Sequence, residues 1–204
     1  MALANYVDLQ ASVAAWLHRT DLTAVIPDFV TMAEARISRD LRLRKQITTS
    51  TLTTVPNTQG VTLPTDWLEM ENISVATSIE RQLTYATIEQ LDSRFPSGGA
   101  MGTPVIYTIE GDQVLFGPVP DAAYTINIIY YSRLPSLITN STNWLMTNHP
   151  NIYLFATLIE AFFYTQDAEQ IARYTQRYNE GLNQLQQQDD RATHSGSALR
   201  VRTI

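Results

Sequence analysis

The sequence predicts an α+β protein in which helices from both chain ends form a bundle and an antiparallel β-rich lobe is inserted between them. Apolar residues recur at helical spacing near both ends, whereas the middle of the chain alternates apolar and polar residues. The apolar segment NWLMTNHPNIYLFATLIEAFFYTQD carries Glu160 and is too short for a bilayer, so it predicts a buried helix. The predicted domains are 1–45 and 143–188 for the bundle, 46–142 for the β-rich insertion and 189–204 for a flexible docking tail.

The N-terminal part predicts two helices. Positions 5–18 place apolar residues on one face, and Arg19-Thr20-Asp21 interrupts the pattern. The second helix is predicted from Ile26, because Pro27 suits a first helical turn, and it runs through Leu41 to a strongly basic end.

The middle of the chain predicts strands. QITTSTLTTV is rich in β-branched residues, which favour a pleated strand over a helix, and so is YTINIIYY at 124–131. Shorter strands are predicted up to Pro64 and at 73–77. VIYTIE, then Gly-Asp, then QVLF predicts a hairpin with a two-residue turn that begins with glycine. Between them, Thr87 predicts the cap of a brief helix, and SRFPSGGAMGTP predicts a loop.

The C-terminal part predicts two more helices. Pro150 marks the start of the helix in the apolar segment, whose apolar residues spread over several faces, so we expect it to be covered on most sides. Asp167 and Gln170 predict a capping box for the last helix. Beyond Gln188 the residues are small and polar, which predicts a flexible tail.

Composition limits the possible functions. Cysteine is absent, which excludes disulfides, thiolate catalysis and cysteine-bound zinc. The three histidines lie in separate segments without ligand spacing, so we predict no metal and no cofactor. The N-terminus lacks the basic flank and long apolar core of an export signal, which predicts a protein of the cytoplasm.

Charge is unevenly distributed along the chain. The net charge of -6 argues against a general nucleic-acid binder. The first 45 residues nevertheless hold six basic and five acidic side chains, so the remainder carries a charge of -7. This basic group is either a solvated helix end or a docking face for carboxylates on a partner protein. Its members are Arg36, Arg39, Arg42, Arg44 and Lys45.

Two further stretches leave alternatives open. Asp66, Glu69 and Glu71 include enough carboxylates for the acid pair of a hydrolase, although such groups are common on surfaces. In the tail, ALRVRTI alternates apolar and basic residues. It is either an unstructured end or an arm that adds a strand to a neighbouring chain or enters its groove. The arm residues are Leu199, Arg200, Val201, Arg202 and Ile204.

The order of these segments resembles the head-to-tail adaptor, or connector, proteins of short-tailed bacteriophages. The similar segments are YVDLQASVAAWLHRTDLTAVIPDFVTMAEARISRDLR, VTLPTDWLEM, GTPVIYTIEGDQVLFGPVPDAAYTINIIYY and NWLMTNHPNIYLFATLIEAFFYTQDAE. They cover most of residues 6–185, and their order carries the resemblance because no single motif is catalytic. The tail after Gln188 shows no such likeness.

The resemblance implies a structural virion protein of the neck, without enzymatic activity. In that family, copies form a dodecameric ring between the portal protein and the tail nozzle protein, and the genome passes through without specific binding. The basic group and the tail would dock to partners during assembly in the host cytoplasm, without a membrane. The turn at 144–149 would join the β-rich lobe to the bundle. The alternatives are another tail-completion or stopper protein, and a cell-wall hydrolase using Asp66, Glu69 or Glu71.

Overall fold

The chain forms two compact units in the computed structural model, which describes residues 3–77, 79–96 and 99–193. The helical unit consists of the described parts of Met1–Leu43 and Leu134–Ile204, and the β unit of those of Arg44–Arg133. This confirms the predicted α+β class. In chain order the elements are α1 (Tyr6–Leu17), α2 (Ile26–Asp40), β1 (Ile47–Thr53), β2 (Gly60–Thr62), β3 (Trp67–Ala76), β4 (Arg81–Gln82), β5 (Thr84–Tyr85), α3 (Ile88–Arg94), β6 (Ile106–Glu110), β7 (Gln113–Gly117), β8 (Thr125–Ser132), α4 (Leu137–Asn140), α5 (Trp144–Asn148), α6 (Pro150–Thr165) and α7 (Ala168–Thr193).

The apolar segment forms α6, and this helix is the centre of the helical unit. Pro150 occupies its first turn, as predicted, and Leu154, Leu158 and Ile159 are buried along it. α6 packs against α1, α2, α5 and α7. Burial of this one helix therefore joins elements from both ends of the chain in a single core.

The other long helices begin at residues that the sequence marks. Asn5 caps α1, because its side chain accepts a hydrogen bond from the Asp8 amide at 3.0 Å. The Asp167 side chain accepts from the Gln170 amide at 3.1 Å at the start of α7. α7 then continues to Thr193, so residues 189–193 are helical and do not begin the predicted tail. Once a helix is nucleated, polar residues can extend it without burying apolar surface. The polar composition therefore placed the predicted start of the tail too early.

Residues 134–142 belong to the helical unit and not to the predicted β-rich insertion. Leu134 and Leu137 are buried in the helical core. The Asn143 side chain joins this segment to α6, because its Nδ2 donates to the Tyr153 hydroxyl oxygen at 2.6 Å. α4 has only four residues, which is too short for a helical spacing to be recognised in the sequence.

The β unit contains two sheets whose inner faces share one core. Sheet A has the strand order β1-β8-β3-β4, and sheet B has the order β2-β7-β6-β5. Ile73 and Ile126 of sheet A join Val114 and Phe116 of sheet B in this core. β5 and β6 pair in parallel, unlike the predicted antiparallel lobe, because the chain crosses through α3 between them.

Bulges explain why one strand was predicted too short. β3 begins at Trp67, well before the predicted start at Ile73, and its register with β8 shifts twice between Trp67 and Asn72. These shifts break the two-residue alternation by which a strand is recognised. The hairpin of β6 and β7 has a regular register and is confirmed, with Gly111 at φ 60° in its turn.

Candidate protein interface

The structure divides the predicted basic group, and Arg36 is used inside the helical unit. Its Nε and Nη2 donate to Glu160 Oε1 at 2.8 and 2.6 Å. Only 25% of the Arg36 side chain and 13% of the Glu160 side chain are exposed. Each charge compensates the other in a partly desolvated position, so the pair holds α2 against α6. The Arg36 guanidinium is therefore engaged within the helical unit, and Glu160 has a structural role in the apolar segment.

The rest of the basic group is exposed but lies in both units. Arg42 Nη1 donates to the Ser38 carbonyl oxygen at 2.6 Å, which satisfies part of the C-terminal end of α2. Arg39 lies in the last turn of the same helix. Arg44 and Lys45 belong to a short 3₁₀ helix at the start of the β unit. Two of the four exposed cations thus belong to the helical unit and two to the β unit.

The predicted arm residues lie outside the described part of the chain, which ends at Thr193. They are Leu199, Arg200, Val201, Arg202 and Ile204. Beyond Leu185, none of the described side chains of α7 is buried. The end of α7 therefore contributes no buried side chain to the helical core.

The helical unit carries an exposed apolar strip that the sequence did not predict. It consists of Met32, Phe163 and Tyr164, whose exposed fractions are 45%, 53% and 60%. The Tyr164 ring lies 5.5 Å from that of Phe29 in the first turns of α2. The last turn of α6 therefore lies beside the start of α2. The apolar segment was predicted to be covered on most sides, but its side chains are exposed at this end. Exposed apolar side chains on two helices that pack together, as α2 and α6 do, suit a surface that binds another protein.

A second surface of the helical unit combines aromatic rings with a charged groove. The ring of Tyr174 stacks on that of Phe162 at 5.3 Å and lies 6.2 Å from that of Trp16. Phe155 belongs to this cluster and also lines a groove of about 480 Å³ between α6 and α7. The charged side chains of the groove are Arg173, Arg177 and Glu180. Aromatic and arginine side chains are enriched in protein interfaces, so this surface also suits a protein partner.

Of the three carboxylates considered for hydrolysis, Asp66 forms a hydrogen bond within the β unit. Asp66 accepts a hydrogen bond from the Tyr130 hydroxyl at 3.0 Å, and burial together with this carboxylate raises the pKa of Tyr130 to about 12. Tyr130 thus remains a donor at neutral pH, and Asp66 ties the start of β3 to β8. Glu69 and Glu71 are exposed on β3 near its bulges.

Within the described ranges, no group of three or more His, Asp or Glu residues is placed to hold a metal ion. Nor does any helix in these ranges combine the length and apolar character that crossing a membrane requires.

Comparison with known proteins matches the chain to a protein family. The model of a family described as SU10 adaptor protein matches residues 4–202. No curated protein matches the chain. The family match takes in both units and extends past Gln188, where the sequence showed no likeness. It agrees with the order of segments on which the resemblance to adaptor proteins rested.

Proposed function

The chain belongs to the SU10 adaptor protein family, and from this membership we propose that its copies form a ring between the portal vertex and the tail of a short-tailed bacteriophage. The protein is a structural adaptor of the virion. In the proposed assembly a dodecameric ring contacts the portal protein on one side and the tail nozzle protein on the other. The family match over residues 4–202 is the observation that carries this proposal.

The charge of the chain supports a conduit for the genome. Binding to nucleic acid strengthens with each basic contact to phosphate, and such contacts would retard passage. The net charge of -6 disfavours this binding. The genome therefore passes through the proposed ring without being held.

The exposed basic residues provide the proposed docking face. In the proposal, this face binds carboxylates of the portal protein, since guanidinium groups match the geometry of carboxylates and the lysine adds a positive charge. Its residues are Arg39, Arg42, Arg44 and Lys45. Arg36 is left out because Glu160 already binds it. The apolar strip of Met32, Phe163 and Tyr164 adds apolar area for assembly. The tail residues Leu199, Arg200, Val201, Arg202 and Ile204 act as an arm toward the portal or an adjacent copy.

Analytical ultracentrifugation tests the proposed position in the particle. We expect the purified chain to co-sediment with the portal ring of the same phage in a fixed ratio. If the chain does not co-sediment with the portal ring, the proposed position between portal and tail is wrong. Binding to the tail nozzle protein alone would identify a tail-completion or stopper protein.

The docking face is tested by removing two cations. Arg39→Ala together with Lys45→Ala is expected to weaken portal binding by about tenfold, as two partly solvated ion pairs are lost. Arg42 stays in place because it bonds the end of α2. The control, Arg81→Ala with Arg94→Ala, makes the same change of charge at two exposed positions outside the candidate surfaces. Equal portal binding by the two double variants would show that the proposed docking face does not contribute to portal binding.

A further inference from the structure

The outer edge of sheet A is open. β1 is the last strand of this sheet and pairs with β8 in an unbroken register from Ile47 opposite Tyr131 to Thr53 opposite Thr125. No other described strand pairs with β1. One long side of a seven-residue strand is therefore without a strand partner in the described part of the chain.

The hydrogen-bond pattern shows which backbone groups face outward. Next to β1, the Thr54 amide donates to the Tyr124 carbonyl oxygen at 3.0 Å. Hydrogen-bonded positions alternate along an antiparallel pair, so every second residue of β1 turns its backbone groups away from β8. Counting back from Thr54, these outward residues are Thr53, Thr51, Thr49 and Ile47.

The edge lacks the protection that open edges ordinarily carry. Proteins shield such edges with charged side chains, proline, bulges or very short strands. β1 reads ITTSTLT, without charge or proline, and its register is regular. The side chains of Thr49, Thr51 and Thr53 are exposed on one face. On the other face, Leu52 is only partly buried against the core.

We propose that the C-terminal segment Ala198–Ile204 of a neighbouring copy pairs with β1 and extends sheet A, an inference that rests on the proposed ring. The segment, ALRVRTI, is as long as β1 and has the two-residue alternation of a strand. Leu199 and Val201 on one face cover the open flank of Leu52. Arg200 and Arg202 lie on the threonine face.

Charge and symmetry favour this occupant. The β unit has nine acidic and five basic side chains, so it attracts a basic segment. Glu80 places a carboxylate on the threonine face, in a depression that Thr49 also lines. In a closed ring each copy offers one β1 edge and one tail, and head-to-tail pairing therefore leaves no β1 edge open.

Cysteine cross-linking tests the pairing, because the chain has no cysteine of its own. Thr51→Cys copies are mixed with copies carrying Arg200→Cys or Arg202→Cys, assembled, and oxidised with an added oxidant. We expect a covalent dimer on a non-reducing gel from at least one mixture. Leu199→Cys and Val201→Cys should link about tenfold less, because they lie on the opposite face of a strand. Thr62→Cys, on the edge strand β2 of sheet B, is the control position.

Equal linking at all four tail positions, or none above the Thr62→Cys control, would overturn the pairing. Thr51→Pro gives an independent test, since it removes an outward amide and leaves the β1–β8 bonds in place. It should weaken self-association by about tenfold relative to Thr51→Ala, which keeps the amide. Equal self-association of these two variants would also overturn it. If the unmodified chain still binds the portal, only this inference has failed; if it does not, the ring position has failed as well.

Discussion

The helical unit and the β unit build their cores in different ways. The helical unit takes α1 and α2 from one end of the chain and α4 to α7 from the other, and packs them around α6. The β unit is one uninterrupted segment, Arg44–Arg133, with its core between sheets A and B. The core of the first depends on contacts between distant parts of the chain, such as that of Arg36 with Glu160, whereas the core residues of the second all come from one segment. The β unit has its own core within one continuous segment, so we expect it to unfold as a separate cooperative unit.

Truncating one core at a time is expected to have the largest effect. Phe116→Ala removes a fully buried ring from the β unit and should lower its free energy of unfolding by about 3–5 kcal/mol. If the units unfold separately, the amides of 44–133 lose protection from hydrogen exchange while those of α6 keep it. Hydrogen exchange followed by mass spectrometry measures this difference.

Leu158→Ala at the centre of α6 is the matched variant. It should cost the helical unit about 2–5 kcal/mol and give the opposite pattern of protection. Loss of protection in both units, in either variant, would show that they unfold as one and would remove the contrast.

A smaller effect is expected from the ion pair that joins α2 to α6. Glu160→Gln keeps the shape of the side chain but leaves Arg36 without its counter-charge, at a cost of about 2 kcal/mol. Urea denaturation followed by circular dichroism measures the loss. Arg19→Gln is the control, because it breaks the exposed pair with Asp21 and should leave the midpoint unchanged. Equal midpoints for the two variants would mean that the buried pair does not stabilise the helical unit.

The smallest effect is expected from Tyr178, whose hydroxyl donates to Asp40 Oδ2 at 3.0 Å. Burial, and then the charge of Asp40, raise the pKa of Tyr178 far above its ordinary value of 10.0. The unfolded chain loses this proton near pH 10 while the folded chain keeps it. The contribution of Tyr178 to stability is therefore complete below pH 10 and decreases as the pH rises further.

Tyr178→Phe should cost about 1 kcal/mol at neutral pH and should reduce the fall in stability above about pH 10. Thermal denaturation at a series of pH values measures both changes. Tyr164→Phe is the control, because that side chain is largely exposed. A pH dependence in Tyr178→Phe equal to that of the unmodified chain would show that Tyr178 does not contribute to it.

Elements with local signals were predicted well. Asn5, Pro150 and Asp167 mark helix starts, and Gly111 marks the turn of the hairpin, because each acts on backbone groups within a few residues. The start of β3 was missed because bulges remove the alternation that identifies a strand.

The residues of the candidate interface were predicted less well from the sequence. Arg36 appeared to continue a row of docking arginines, but its role depends on Glu160, far away in the chain. Phe163 appeared to be core, although it is exposed where α2 begins. The docking roles of Arg39, Arg42, Arg44 and Lys45 remain predictions.

By itself, the sequence determined the class of the fold, the positions of the long helices and of the hairpin, and the burial of most of α6. These follow from caps, turns and periodic spacing, which operate over one or two turns of chain. Only the tertiary structure decided the strand order, the parallel pairing of β5 with β6, the partner of Arg36 and the open edge of β1. Each of these depends on which distant segments meet, and a contact between distant residues leaves no periodic pattern in a single sequence.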